Sequence, residues 1–152
     1  EIVPGSKSFR VFVDYAHTPD ALENVLRTLR SLQPARLLTV FGCGGDRDRT
    51  KRGPMGRAAE ELSDWSIITS DNPRGEDPEE ICREVTAGLM AKKHEVIIDR
   101  RAAIRRAIMM AEPDDIILVA GKGHEDCQEF SDRKVPFDDV AEAASAIGGR
   151  AA

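Results

Sequence analysis

At residues 69–77, TSDNPRGED, the apolar run Trp65–Thr69 stops and an arginine follows directly behind a proline. Pro73 fixes its own φ and pushes Asn72 toward an extended conformation, which restricts where Arg74 points. A guanidinium held this way suits two-pronged capture of a carboxylate or a phosphate. Asn72 offers donors and an acceptor, and Glu125 can take an ammonium group. Arg for carboxylate, Glu for ammonium and Asn between them describe a pocket for an amino-acid head group.

Other side chains could join that chemistry, and each has a plainer reading. Asp14 is equally a helix cap, and His17 a solvated loop imidazole. Gly42–Gly45 resembles a turn whose backbone N–H groups approach an anion where no Cβ intrudes. It fits neither GxGxxG nor GxxxxGK[ST]. Arg47, Arg49, Lys51 and Arg52 read as a solvated basic run. His124 and Glu125 are a reactive pair or a surface turn, while Trp65 and His94 are structural. The chain shows neither zinc spacing nor a Gly-x-Ser-x-Gly elbow, and no metal ligand is assigned.

The elements that must position these residues alternate in type. Strands are expected at Phe9–Asp14, Leu37–Gly42, Trp65–Thr69, Val96–Asp99 and Ile116–Ala120, with a short hairpin or edge segment over Glu129–Pro136. Helices are expected at Pro19–Leu32, Pro54–Leu62, Pro78–Met90, Arg101–Ala111 and Asp138–Ile147, with Thr18 and Asp77 as caps. Alternation of this kind implies right-handed βαβ crossovers. The fold class is therefore α/β and Rossmann-like: a mainly parallel sheet of about five to six strands, covered on both faces. Ligands bind such sheets at the carboxyl ends of the strands. Those ends carry the polar stretches that begin at Asp14, Gly42, Ser70 and Gly121, whereas Gln33-Pro34 and Glu112-Pro113-Asp114 read as simple turns.

With 152 residues, 41% hydrophobic and 32% charged, one soluble domain is expected. A net charge of −5 disfavours nucleic acid as a partner. Three unpatterned cysteines point to a reducing compartment, the cytoplasm. No apolar run reaches the roughly 18 residues of a membrane span, so no membrane partner is expected. The start, Glu1-Ile2-Val3-Pro4-Gly5, lacks an initiator Met and resembles no signal peptide, as in an excised piece of something larger.

Four stretches, VFVDYAHTPDAL (11–22), VFGCGGDRDRTKR (40–52), SDNPRGEDP (70–78) and LVAGKGHED (118–126), occur in one order. In that order and spacing the chain resembles the C-terminal domain of the Mur ligases, and more narrowly of those that add meso-diaminopimelate to UDP-MurNAc-L-Ala-D-Glu in peptidoglycan synthesis. The likeness runs from about residue 9 to the end. It implies a Rossmann-like unit, residues 9–152, that swings over a central ATPase domain, with residues 1–8 as the linker. It implies that Asp71-Asn72-Pro73-Arg74 is the signature for meso-diaminopimelate. Asn72 and Arg74 would hold its free end, completed by Arg47, Gly121 and Glu125. Asp14 and His17, with Tyr15 as a further candidate, would reach the nucleotide.

On the same resemblance, the partners are meso-diaminopimelate, ATP, the UDP-MurNAc-dipeptide and the upstream domains. ATP and Mg²⁺ would be held mainly outside this chain, which has no phosphate loop, so no catalytic residue is expected in it and the isolated chain is expected to be inactive. A lysine in the pocket would leave Arg74 without its partner. Losing a hydrogen bond to a charged group costs about 1.5–3 kcal/mol, enough for roughly tens- to hundreds-fold discrimination. Two alternatives stand beside this reading: a related amide ligase for lysine or glutamate, and a free-standing ligand-binding module of the same fold.

Overall fold

A computed structural model describes residues 1–151. Six strands form one sheet: β1 (Ile2–Val3), β2 (Arg10–Asp14), β3 (Leu37–Phe41), β4 (Trp65–Ile68), β5 (His94–Val96) and β6 (Ile116–Ala120). Their order is β1-β2-β6-β3-β4-β5, with β1 antiparallel at one edge and the rest parallel. Five helices connect or close it: α1 (Pro19–Arg30), α2 (Arg52–Leu62), α3 (Pro78–Thr86), α4 (Arg100–Met110) and α5 (Asp139–Ala151). A separate antiparallel pair, β7 (Cys127–Glu129) with β8 (Lys134–Pro136), lies between β6 and α5.

Side-chain parity explains the two layers. Leu38, Val40, Ile117 and Val119 face one side, where α4 and α5 bring Ile104, Ile108 and Ile147. Leu37, Phe41, Ile116, Leu118 and Ala120 face the other and meet Leu22, Met55 and Ile81 from α1, α2 and α3. Strands buried on both faces need the continuous apolar runs that the sequence carries.

The expected α/β fold is thus the observed one, with local corrections. The strand placed at Val96–Asp99 pairs instead over His94–Val96, because Asp99 leaves the sheet to cap α4, accepting from the Arg101 N–H. Helix α3 stops at Thr86 rather than Met90, where Gly88 follows, a poor helix former. Helix α2 starts two residues early, fed by a 3₁₀ turn at Arg49–Lys51 that Asp48 caps. The segment read as a linker also carries sheet structure: Ile2 and Val3 pair with Phe12 and Val11, and Val3 is buried.

The amino-end turns are less simple than their composition suggests. Asp115 is buried there and accepts from Arg36 at 2.6 and 3.0 Å, which raises the Arg36 pKa, the hydrogen bond to Asp115 being the largest cause. The Asp115 carboxylate at this end is sealed off, whereas the carboxyl ends open into a cleft.

Candidate functional site

All parallel strands point their carboxyl ends at one rim, and loops after four of them line a single cavity of about 360 Å³. That volume lies within the roughly 300–1,000 Å³ of small-ligand clefts. Tyr15 and His17 come from the loop after β2, and Gly44, Arg47, Asp48 and Lys51 from that after β3. Asp71, Asn72 and Arg74 follow β4, while Gly121 and Glu125 follow β6.

Two of these loops lie backbone to backbone. The Gly45 N–H donates to the Asn72 carbonyl at 2.8 Å, and a Cβ at Gly42 or Gly45 would collide with the carbonyl oxygen of Thr69 or Pro73. The glycines of Gly42–Gly45 therefore serve this close approach. Gly121, at φ +113, is in turn confined by the Asp71 carboxylate, 2.7 Å from where its Cβ would stand.

Arg74 sits at φ +50, a left-handed conformation that non-glycine residues rarely adopt. The first strand of the hairpin holds it there. The Arg74 N–H donates to the Glu129 carbonyl at 3.0 Å, and its Nε donates to Glu129 Oε2 at 2.9 Å. Hydrogen bonds from Arg74 and then Lys134 keep the Glu129 carboxyl below its ordinary range. Nη1 donates to the Gly45 carbonyl at 3.0 Å. No described residue accepts from Nη2. The proline was expected to aim this arginine; the hairpin and the glycine loop aim it as well.

Asn72 is buried, and its amide is hydrogen-bonded at both ends. Oδ1 accepts from Lys122 Nζ at 2.8 Å and from the Glu129 N–H at 3.0 Å, while Nδ2 donates to Glu125 Oε1 at 3.2 Å. Pro73 is buried beneath the loop and does not border the cavity. Arg47 is exposed, with Nη1 on the Asp46 carbonyl at 2.9 Å.

On the opposite wall Tyr15 and His17 are exposed and meet edge to face, with centroids 4.8 Å apart. His17 Nδ1 lies 3.0 Å from the Tyr15 carbonyl, and Lys51 Nζ donates to the His17 carbonyl at 2.8 Å. Asp14 stands apart from this group. Its Oδ1 accepts from the Ala16 N–H at 2.8 Å and its side chain does not line the cavity. Nor does it cap α1, a place Thr18 takes by accepting from the Ala21 N–H. His124 turns away from Glu125 toward Glu1 and is exposed.

Two cations were missed or misread in the sequence. Arg52, taken as part of a solvated run, is fully buried and joins Glu76 at 2.7 Å, Glu84 at 3.0 Å and the Gly44 carbonyl at 2.9 Å. Helical phase sends it inward while Arg47 and Arg49 stay exposed. Its hydrogen bond lowers the Glu76 carboxyl to about 2. Lys122 is the other: completely buried, between Asp71, Asn72 and Glu125. A lysine flanked by glycines directly after the most apolar strand was its only signal.

Among the described residues, no three His, Cys, Asp or Glu side chains gather so as to hold a metal ion. The Mg²⁺ that the resemblance implies thus finds no all-protein cage among them, which this ion, usually held by one or two carboxylates and substrate phosphates, does not require. Among the same residues, no helix is long and apolar enough to cross a membrane.

Comparison with known proteins bears on the whole chain. The family model described as "Mur ligase, glutamate ligase domain" matches residues 1–123. The chain belongs to the Mur ligase family. The UDP-N-acetylmuramoyl-L-alanyl-D-glutamate--2,6-diaminopimelate ligase of Aquifex aeolicus is 52% identical over 98% of this chain and 31% of its own length. A solved structure of a ligase with the same name superposes with a TM-score of 0.95 at 44% identity, covering 100% of this chain and 31% of that one. At 23% identity, a structure of E. coli FolC in complex with ADP shares only the fold, with a TM-score of 0.62. This Mur ligase chain thus spans about a third of the length of the curated relatives it matches.

Proposed function

We propose that this chain is the amino-acid-accepting and nucleotide-closing part of an ATP-dependent ligase that adds meso-diaminopimelate to UDP-MurNAc-L-Ala-D-Glu. Residues 9–152 form the accepting domain in this reading. Residues 1–8 lead in from an upstream ATPase domain, and their short strand braces the domain edge. The observation that carries the proposal is the meeting of Arg74, Asn72, Gly121, Glu125 and Arg47 around one cavity.

In this reading the free end of meso-diaminopimelate lies between Arg74 and Glu125. Arg74 Nη2 supplies donors for its carboxylate, and Glu125 receives its ammonium. Arg47, exposed and held only to its own loop, closes over the acid group. Fixing that end holds the other amino group in one place. ATP converts the carboxylate of the UDP-MurNAc-dipeptide to an acyl phosphate elsewhere in the protein. The held amine attacks that carbonyl, a C–N bond forms, and inorganic phosphate and a proton leave. The contribution of this chain is proximity and orientation. His17 and Tyr15 form the edge that meets the nucleotide, and the Asp14 turn fixes their loop. The relatives' printed names, with 52% and 49% identity, favour 2,6-diaminopimelate over lysine or glutamate.

Two measurements test this. In the full-length ligase, Arg74→Ala is expected to raise the KM for meso-diaminopimelate roughly tens- to hundreds-fold and to change residual lysine incorporation far less. An equal loss for both amino acids contradicts the assignment. The isolated 152-residue chain is expected to fold without catalysing ligation, and measurable product from it alone would overturn the division of labour.

A further inference from the structure

Lys122 borders no part of the cavity, yet three cavity residues are tied to it. Its Nζ lies 2.8 Å from Asn72 Oδ1, 3.1 Å from Glu125 Oε1 and 3.5 Å from Asp71 Oδ1. A completely buried ammonium is stable only when paired and hydrogen-bonded, and these three oxygens do that. It is set by glycines at φ +113 and +53 on either side.

The consequence falls on Asn72. Its Oδ1 is addressed by two groups that can only donate, the Lys122 ammonium and the Glu129 backbone N–H. That settles which end of the amide is oxygen, an orientation that otherwise has to be inferred. Both lone pairs of Oδ1 are then engaged. Nδ2, already 3.2 Å from Glu125, is what Asn72 has left for a ligand. Asn72 therefore meets the cavity as a donor and reads an acceptor, not an ammonium group. Lys122 also balances the charges of Asp71 and Glu125, lying 3.5 and 3.1 Å from their carboxylates.

We propose that Lys122 is the positioning residue of the amino-acid site. From outside ligand reach it locks the Asn72 amide with its NH₂ toward the cavity and pins Glu125 to the wall. The carboxylate and the ammonium of the amino acid thereby meet separate side chains. This rests on the function proposed above.

The test uses the full-length ligase and the KM for meso-diaminopimelate, with the KM for ATP as control. Lys122→Met and Asn72→Ala are each expected to raise the amino-acid KM about ten-fold or more, leaving the ATP KM within about two-fold. Because one acts through the other, the double variant is expected to be no worse than the poorer single variant. Additive losses, or equal losses for both substrates, overturn the proposal. Should Lys122→Met fail to fold, Asn72→Asp decides. It keeps the acceptor that Lys122 addresses and puts a carboxylate oxygen in place of the NH₂ that faces the cavity and Glu125. A KM raised about ten-fold or more supports the proposal, and a wild-type KM overturns it. Arg74→Ala run in parallel separates the two levels. No effect there removes the functional reading and this inference with it, whereas an effect there with none at Lys122 or in Asn72→Asp removes the inference alone.

Discussion

Arg100 and Arg74 support the same loop in opposite ways. Arg100 is buried with Asp139, and neither side chain is exposed. Its Nε and Nη2 both bind that carboxylate, at 2.8 and 2.7 Å, and Nη1 and Nη2 also reach the Ser70 and Ala120 carbonyls. It thus ties the ends of β4 and β6 to the start of α5. Arg74, four residues beyond Ser70, makes one carboxylate contact and one carbonyl contact, with 22% of its side chain exposed. One guanidinium spends four of its five N–H donors on protein; the other spends two and keeps the rest for something else. Near-saturation marks the frame, and unspent hydrogen-bonding capacity in a cleft marks the site.

Removing a partner from each pair gives the sharpest way to break this contrast. Asp139→Ala leaves Arg100 buried without a counter-charge and is expected to cost about 3–5 kcal/mol of stability, read from urea unfolding of the 152-residue chain. A loss under about 1 kcal/mol would remove Arg100 from the frame.

The Arg52–Glu76 pair is intermediate, its cation sealed and its carboxylate 24% exposed. The folded-state pKa of Glu76 is depressed, first by the hydrogen bond from Arg52, from an ordinary 4.5 to about 2. Its stabilisation is therefore present above pH 4.5 and is lost as pH falls through 2. After allowance for solvent screening it is worth about 2 kcal/mol. Glu76→Gln is expected to flatten the fall in melting temperature over that interval, and an unchanged acid profile would count against the pair.

Arg74→Ala is expected to cost about 1 kcal/mol of stability or less, since its ion pair is partly exposed, while damaging amino-acid binding as stated above. A stability loss matching that of Asp139→Ala would erase the distinction between frame and site.

Smallest is a chemical test of packing. Burial pushes the Cys43 thiol to about 12 and the Cys82 thiol to about 11. Both are expected to resist iodoacetamide at pH 7.5 in the folded chain, with half-buried Cys127 the sole site of any labelling. Mass spectrometry of peptides distinguishes the three.

Much of this was legible in the chain. Apolar runs at Leu37–Phe41 and Ile116–Ala120 announced a sheet buried on both faces, and Thr18-Pro19 and Asp77-Pro78 marked helix starts where they occur. Arg74, Asn72 and Glu125 were singled out by residue type and loop position, and they do line one cavity. Arg52 was misread because a basic run has no visible inward face until the helix phase is fixed. Lys122 had no assigned role because a buried lysine looks like any other lysine until its acceptors are known. Glu129 went unnoticed as the brace of Arg74, lying 55 residues away in sequence.

The sequence alone determined the strand and helix alternation, the carboxyl-edge location of the site and the set of reactive residue types, because these follow from local periodicity and from βαβ handedness. Only the tertiary structure decided which charges are neutralised within the protein and which face the cleft. That outcome depends on partners distant in the chain, brought within hydrogen-bonding distance by packing alone: Arg100 with Asp139, Lys122 with Asn72, Arg74 with Glu129.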